Sequence, residues 1–375
     1  MAVQLPTVDR EAIELGLRYV NNDACFPAIV VIVQLLQALR SGRFDRKCVA
    51  LMIPQTGGGC RATNYIAFLR KALHDSGMED IPILSFITNV NEKESVFRIS
   101  GKMLRRFIMA GQFGDALMHM LHRVAPYKAV PGSAACLAEE WALKGKKCIH
   151  SSNMLRFDFT MLAMIRTFDK LPLSTEKRKP LVGLVGEILL KYHSDVNNRA
   201  AEIVENEGGE AVVTDLMDFA LYCFYDHVFN YRHLAGSWRN YLSALMGIFI
   251  LDVTRWAMRF GFRRSKCFTP PLHFSELRKK TGTLISLGHL TGEGWLLVAE
   301  MVKLLESGVP NILCMQPFGC LPNHITGKGL LKELKRRYPQ ANIIALDYDP
   351  GASEVNQINR IKLMMSMARQ PSQAS

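Results

Sequence analysis

Three cysteines have sequence surroundings that suit thiolate metal ligands. Cys25 stands just before Pro27, while Cys60 and Cys320 each follow a glycine and precede a predicted helix. A helix N-terminus carries unpaired N–H groups and a partial positive charge, which favour a thiolate over a thiol. The positions of Cys25, Cys60 and Cys320 therefore predict ligation of a soft metal.

Three protein thiolates suit an iron–sulfur cluster in which one iron stays open to water, substrate or another ligand. Glycines beside two of the cysteines would let backbone N–H groups approach the sulfides of such a cluster. The predicted cofactor-binding glycines are Gly57, Gly58, Gly59 and Gly319. The alternative is a structural role, because isolated cysteines are among the most buried residue types and no CxxC spacing is present.

The other cysteines and the acidic residues near strand ends are weaker candidates. We expect core or surface thiols at Cys48, Cys148, Cys223 and Cys267, and reserve ligands at Cys136 and Cys314. Glu187 follows Gly186 at the end of a predicted strand, where a carboxylate could act as an acid or base in a crevice. A carboxylate that caps the start of a helix is the commoner arrangement and stays as the alternative.

Apolar runs and glycine-rich turns predict alternating strands and helices around these residues. The predicted strands cover residues 48–53, 83–88, 181–186, 211–214, 311–315 and 342–347. Cys60 and Cys320 each come after a strand, and the carboxyl ends of parallel strands converge on one crevice. The pattern predicts an α/β fold with two Rossmann-like doubly wound parallel-sheet domains and a helical insertion.

Residues 171–180 contain two prolines and several charges, and this composition predicts a domain boundary. The N-terminal α/β domain covers residues 1–175 and is helix-rich. Only two strands are predicted in it. Either the pattern misses further strands, or the sheet is incomplete and its other strands come from another chain or an upstream segment. The C-terminal Rossmann-like domain covers residues 176–375 and contains the helical insertion at about residues 216–260.

Composition narrows the class of protein. The 375 residues are 49% hydrophobic and carry a formal net charge of +12, but the basic residues form small dispersed clusters. No aromatic-interleaved basic motif or zinc-finger spacing is present, so we predict no nucleic-acid binding. No signal-peptide pattern is visible, and the apolar residues 242–260 carry Asp252 and Arg255. We expect no membrane span and a cytoplasmic, reducing location in which the nine cysteines are not paired as disulfides.

Five segments of the chain are long and distinctive. They read NNDACFPA (21–28), PQTGGGCRATNYIAFLRKAL (54–73), LVGLVGEILLKYH (181–193), GHLTGEGWLLVAEM (288–301) and QPFGCLPNHITGKGLLKELKRRYPQANIIALDYDPGASEVNQINRIKLMM (316–365). They resemble the C-terminal region of large acyl-CoA dehydratase activase-related proteins, a region similar to the D-component of 2-hydroxyglutaryl-CoA dehydratase. The resemblance to this 2-hydroxyacyl-CoA dehydratase family extends over residues 16–365.

The resemblance implies an iron–sulfur cluster, of the 4Fe-4S or double-cubane type, held by Cys25, Cys60 and Cys320. It implies a redox subunit of an acyl-CoA dehydratase-like lyase or of an ATP-dependent reductase. Such a subunit takes low-potential electrons from an ATP-hydrolysing activase and reduces a CoA thioester or a similar substrate. Among partners, we also expect a second subunit in a homodimer or heterodimer.

The glycine loop before Cys60 is not a P-loop, because no Gly-Lys-Ser/Thr follows it. We therefore expect ATP hydrolysis to come from a separate activase or from fused or upstream activase domains. The alternative function is a non-catalytic scaffolding or metal-binding subunit of a larger activase complex, in which the cysteines are structural or hold another thiophilic metal.

Overall fold

The computed structural model describes residues 6–21, 23–55, 59–87, 100–174 and 177–369. In these ranges the strands are β1 (Leu51–Gln55), β2 (Ile83–Ile87), β3 (Leu181–Gly186), β4 (Glu210–Val213), β5 (Asn311–Pro317) and β6 (Asn342–Tyr348). The helices are α1 (Arg10–Tyr19), α2 (Phe26–Arg40), α3 (Tyr65–Asp75), α4 (Gly101–Val124), α5 (Ser133–Ser151), α6 (Met154–Phe168), α7 (Ile188–Tyr192), α8 (Ala200–Asn206), α9 (Leu216–His233), α10 (Trp238–Thr254), α11 (Trp256–Arg264), α12 (Phe274–Thr281), α13 (Leu296–Glu306), α14 (Leu331–Arg337) and α15 (Glu354–Arg369).

The strands in the described ranges form two sheets, and every pairing in them is parallel. β1 pairs with β2, and the larger sheet has the strand order β4-β3-β5-β6. The expected α/β class with parallel sheets is confirmed. In the larger sheet the chain adds β4 on one side of β3 and later strands on the other. Such a reversal leaves a crevice at the carboxyl ends of the two central strands, β3 and β5.

The observed strands begin and end close to their predicted positions. The first strand starts later than predicted, because Arg46–Cys48 forms a short 3₁₀ helix that the Asp45 carboxylate caps. β5 is longer than predicted, since its last residues keep pairing with β6. Residue 88, the predicted end of the second strand, lies outside the described residues. The short helices α7, α8 and α12 and the C-terminal helix α15 were not predicted from the sequence.

Helices cover both faces of the four-stranded sheet. Helices α9, α12, α13 and α14 pack on one face, and α1, α2, α8 and α15 pack on the other. Ile312 and Cys314 of β5 point to the first face, whereas Leu313 and Met315 point to the second. Because both faces are covered, all of β5 is buried, which explains its continuous apolar run.

Helix α2 is shared between the two sheets. Its side chains Ile29 and Ile32 belong to the core beside the two-stranded sheet, whereas Val30 and Val33 belong to the core of the four-stranded sheet. All four are fully buried. This double packing accounts for a helix sequence that lacks a polar face.

A further core lies between α4, α5, α6 and α11. Its buried aromatic side chains include Phe157, Phe168 and Phe262. Helix α4 also packs along β4 and α9. Residues on both sides of segment 171–180 therefore share one core.

The expected helical insertion at about residues 216–260 forms α9, α10 and α11. The Asp115 carboxylate accepts hydrogen bonds from two backbone N–H groups at the start of α9. Between α10 and α11, Arg255 donates to Asp218 at 2.8 Å, and both side chains are buried. The run Trp238–Arg264 is long and apolar enough to cross a membrane by length and composition, and 28% of its apolar window is buried in the fold.

We expect Ile32→Ala to lower the free energy of unfolding by about 3 kcal/mol, because it opens a cavity in a helix packed on both sides. Guanidinium denaturation followed by circular dichroism measures the loss. The matched control is Leu155→Ala on α6, where the side chain is 73% exposed and the change should stay within about 0.5 kcal/mol. Equal effects of the two substitutions would show that α2 is not tightly packed.

Asp226 of α9 is a largely buried carboxyl in contact with Trp295. The Trp295 indole N–H donates to its Oδ1 at 3.3 Å. Burial raises the pKa of Asp226 to about 8, and hydrogen bonds with Tyr222 and Trp295 oppose the rise. The folded state thus keeps a proton that the unfolded state releases near pH 4, so this group's contribution to stability falls as the pH rises from about 4 to about 8.

Asp226→Asn should remove this pH dependence while keeping an oxygen acceptor for Trp295. Relative to the parent protein, the variant should gain up to about 1.4 kcal/mol of unfolding free energy for each pH unit between about 5 and 8. Chemical denaturation at several pH values gives the difference. The control is the same substitution at an exposed carboxyl, Asp80→Asn. Parallel curves of unfolding free energy against pH for the parent and for Asp226→Asn would disprove the raised pKa of Asp226.

Candidate functional site

The three predicted ligands stand at starts of helical segments that meet near the crevice of the larger sheet. Cys25 is the N-cap residue of α2, and Cys60 is the N-cap residue of a 3₁₀ helix that leads into α3. Cys320 follows β5 and directly precedes a helical turn. Cys25 and Cys320 are buried, and Cys60 is half-buried.

The side chain of Arg61 joins the three cysteine loops. Its Nη1 donates to the Asp23 carbonyl at 2.9 Å, and its Nη2 donates to the Phe318 carbonyl at 2.9 Å. Gly319 has φ +66°, and a Cβ at this position would lie 3.4 Å from Arg61 Nη2. Arg61 directly follows Cys60, so one guanidinium ties that loop to the loops that lead into Cys25 and Cys320.

Contacts of the glycine loop agree with this arrangement. A Cβ at Gly59 would lie 3.7 Å from Thr291 Cγ2 and 3.8 Å from Leu321 Cδ2. Gly59 therefore lies against Leu321, the residue that follows Cys320. The predicted cofactor-binding residues Gly57 and Gly58 lie outside the described residues.

The sulfur atoms have polar partners of their own. The backbone N–H of Ala62 lies 3.5 Å from Cys60 Sγ, and the Tyr65 hydroxyl is hydrogen-bonded to the Cys25 side chain. Asn323 Nδ2 donates to Cys320 Sγ at 3.2 Å. Each of these donors can also stabilise a thiolate.

Burial, not the helix N-terminus, dominates the acidity of the thiols. Burial raises the pKa of Cys25 far above its usual value, and the nearby charges of Glu187 and Cys320 add to the rise, while Arg61 lowers the pKa. Burial likewise raises the pKa of Cys320 to about 12. In the absence of a metal these two cysteines are therefore protonated at neutral pH, contrary to the expectation that helix starts favour the thiolate.

Two carboxylates approach the cysteines at the end of β3. Gly186 has φ +136°, and a Cβ there would overlap the Met315 carbonyl, so only glycine permits the close contact of β3 with β5. Glu187 accepts from the Leu190 N–H at 3.0 Å and thus caps α7, the alternative considered for this residue. Burial and the charge of Glu293 raise the pKa of Glu187 to about 8.

Glu293 connects this cap to Cys320. Its Oε1 accepts from the Ile188 N–H at 3.2 Å, and its Oε2 accepts from Asn323 Nδ2 at 3.4 Å. The Oδ1 atom of Asn323 is buried and finds no hydrogen-bond partner in the part of the chain that the structure describes. Such an orphaned polar atom next to Cys320 is a departure from the usual satisfaction of buried groups.

The remaining cysteines are distributed over the fold. Cys314 is buried in the middle of β5 and points into the core on the α13 side of the sheet. Cys48 and Cys136 are exposed, Cys148 is buried, and Cys223 and Cys267 are half-buried. Cys48, Cys136, Cys148, Cys223 and Cys267 lie in other elements than the three cysteine loops.

Arg61, Tyr65 and Asn323 were not predicted as site residues. Their positions one, five and three residues after a candidate cysteine are the only sequence signal for them. Which of the polar residues beside a cysteine turn toward it depends on how the three loops meet, and that is a tertiary property.

Comparison with known proteins finds no matching family model, curated protein or solved structure.

Arg61→Ala should expose the two buried cysteines by releasing the loops that the guanidinium joins. Charge-assisted hydrogen bonds contribute about 1.5–3 kcal/mol each, so we expect alkylation of Cys25 and Cys320 in metal-free protein to accelerate about tenfold or more. Mass spectrometry of peptides after timed treatment with N-ethylmaleimide measures the rates. Arg70→Ala on the exposed side of α3 is the control, and unchanged rates in Arg61→Ala would contradict the joining role.

Proposed function

We propose that the three cysteine loops hold an iron–sulfur cluster with Cys25, Cys60 and Cys320 as its thiolate ligands. The observation that carries the proposal is Arg61, which hydrogen-bonds to the loops of the other two cysteines while following Cys60 in sequence. Residues far apart in the chain thus meet at one guanidinium. A positive charge at this point would also offset the negative charge of a thiolate-bound cluster.

A cluster tolerates a wider spacing of its protein ligands than a single metal ion does. Across the described ranges, no three His, Cys, Asp or Glu side chains are close enough to one another to hold one ion. A single ion needs every sulfur within about 2.3 Å of the same centre. A cluster distributes its protein ligands over several iron atoms, so the cysteines of a cluster site stand farther apart.

The chain's own residues would tune such a site. Ligation requires the three thiols to lose their protons, and burial makes this loss costly unless a metal replaces the proton. Hydrogen bonds to ligand sulfurs help to set the reduction potential, and Asn323 and Ala62 are placed to donate them. A bound cluster would supply one-electron transfer at low potential.

A cavity of about 180 Å³ lies beside the Cys320 loop. Residues Gly288, His289, Leu290, Thr291, Gly294, Leu321, Pro322, Ile325 and Thr326 line it. Usual ligand pockets begin at about 300 Å³, so this smaller cavity fits a short acyl group better than a whole coenzyme. Its size is consistent with a CoA thioester that inserts only its reacting end.

The proposal includes the partners and the class of enzyme. The subunit would work in the cytoplasm and take electrons from an ATP-hydrolysing activase, and with a CoA thioester it would act as a dehydratase-like lyase or reductase. The four-stranded sheet and its helices would be one Rossmann-like domain, and the two-stranded sheet would belong to a second. The alternative is a scaffolding subunit, which the burial of Cys25 and Cys320 also supports.

We expect Cys60→Ser to abolish the brown chromophore and the bound iron and sulfide of anaerobically reconstituted protein, because loss of one of three ligands leaves the cluster without sufficient anchors. Iron and acid-labile sulfide assays, with electron paramagnetic resonance of the reduced sample, measure the content. The control is Cys223→Ser on α9, which should keep the parent's content.

Two outcomes would reject the proposal. Parent protein without stoichiometric iron and sulfide after reconstitution would favour the scaffolding function. Equal cluster content in Cys60→Ser and Cys223→Ser would place any cluster elsewhere. Thermal unfolding of each variant distinguishes loss of ligation from loss of fold.

A further inference from the structure

Helix α10 has a long exposed apolar face. Within this helix, which the structure describes in full, only Ala244 and Leu251 are buried. Large hydrophobic side chains on and just after it are 39% to 64% exposed. This α10 stripe consists of Trp238, Leu242, Leu245, Met246, Phe249, Ile250, Val253 and Trp256.

The stripe follows the helical repeat on the side opposite to α9. Its members recur at intervals of three and four residues, which places them along one face of a helix. On the other side, a Cβ at Gly247 would lie 2.5 Å from the ring of Phe224, so α10 packs closely against α9 there. The α10 stripe therefore points away from the protein's own core.

The exposed area is that of a protein interface. Because aromatic side chains alone bury 150–250 Å² each, eight large side chains exposed by about half offer on the order of 800 Å². Patches of this size are rare on monomeric proteins and mark interaction sites. Each partner in a standard protein–protein interface buries about 800 Å².

The stripe is complementary to itself. A twofold axis between residues 247 and 248 would align two antiparallel copies of α10. In that register Leu242 faces Val253 of the second copy, Leu245 faces Ile250, and Met246 faces Phe249. All of these contacts are apolar, and a twofold interface requires this kind of self-matching patch.

Charge distribution favours a second copy over a lipid surface. Residues 240–251 contain no charged side chain, so no like charges oppose the antiparallel register. Helices that lie on membranes usually carry rows of lysine and arginine beside their apolar face. Here the one arginine within α10 is Arg239 at its first turn, and Arg255, just after the helix, is buried against Asp218.

We infer that α10 is a homodimer interface, in which the α10 stripes of two copies pack antiparallel about a twofold axis between residues 247 and 248. The interface is independent of the cysteine site, and its test does not depend on cluster binding. The loops of the three cysteines lie at other elements, so each copy keeps a complete set of the proposed ligands.

Sedimentation equilibrium of the full chain should show a species of twice the 42.2 kDa chain mass. Met246→Glu with Phe249→Glu puts like charges opposite each other in the proposed register, and the dimer dissociation constant should rise about 100-fold or more. Met246→Lys with Phe249→Glu puts opposite charges there, and dimerisation should recover to within about tenfold of the parent. The control, Leu155→Glu, changes another exposed apolar residue and should leave the dimer intact.

Each of the following outcomes would overturn the inference. A monomeric parent, or a dimer that survives Met246→Glu combined with Phe249→Glu, would show that α10 is not the interface. Failure of the Lys and Glu pair to restore association would reject the antiparallel register. A monomer that co-sediments with phosphatidylcholine vesicles, with or without phosphatidylserine, would assign the stripe to a lipid surface. Near-ultraviolet circular dichroism confirms that each variant is folded.

Discussion

Burial of α2 on opposite sides is the constraint on which the rest of the structure depends. The helix fills the space between two parallel sheets, so neither sheet can move relative to it without opening a cavity. Cys25 is the N-cap residue of α2, so the two hydrophobic cores that hold this helix also fix the position of Cys25. The loops of Cys60 and Cys320 then reach this point from the end of one sheet each. Packing and the hydrogen bonds of Arg61 bring the three cysteine loops together.

The electrostatics of the site follow from the same burial. A helix start alone would lower the pKa of a thiol, but the low-dielectric surroundings of Cys25 and Cys320 have the larger effect and raise it. Burial also raises the pKa of both nearby glutamates, that of Glu187 to about 8, while the charge of Arg61 lowers the pKa of Cys25. Without a bound metal, Cys25 and Cys320 are therefore neutral thiols at neutral pH. Without a metal, the buried thiols of Cys25 and Cys320 would react slowly with oxidants, since thiols react through their thiolate form.

Much of this arrangement can be read from the sequence, because its cause is local. Strands β3, β5 and β6 are buried apolar runs bounded by turn residues, and their positions were predicted closely. The glycine or proline beside each candidate cysteine also indicates correctly that a helical segment starts there. The cap that Glu187 provides agrees with the commoner arrangement that the sequence indicated. What could not be predicted is set by tertiary contacts: the side of α3 that carries Tyr65 and the reach of Arg61. The outward face of α10 was missed for the same reason, since its apolar residues resemble those of a core helix.

The contact between Arg61 and Phe318 has a consequence for biosynthesis. It joins residues 257 positions apart, so the chain as far as Phe318 must leave the ribosome before the three loops can meet. Until then the exposed cysteines at the start of the chain have no partners from the last strands. Any group that needs all three loops can only be inserted once the Cys320 loop has left the ribosome. During synthesis these thiols depend on the reducing power of their surroundings for protection, and not on the fold.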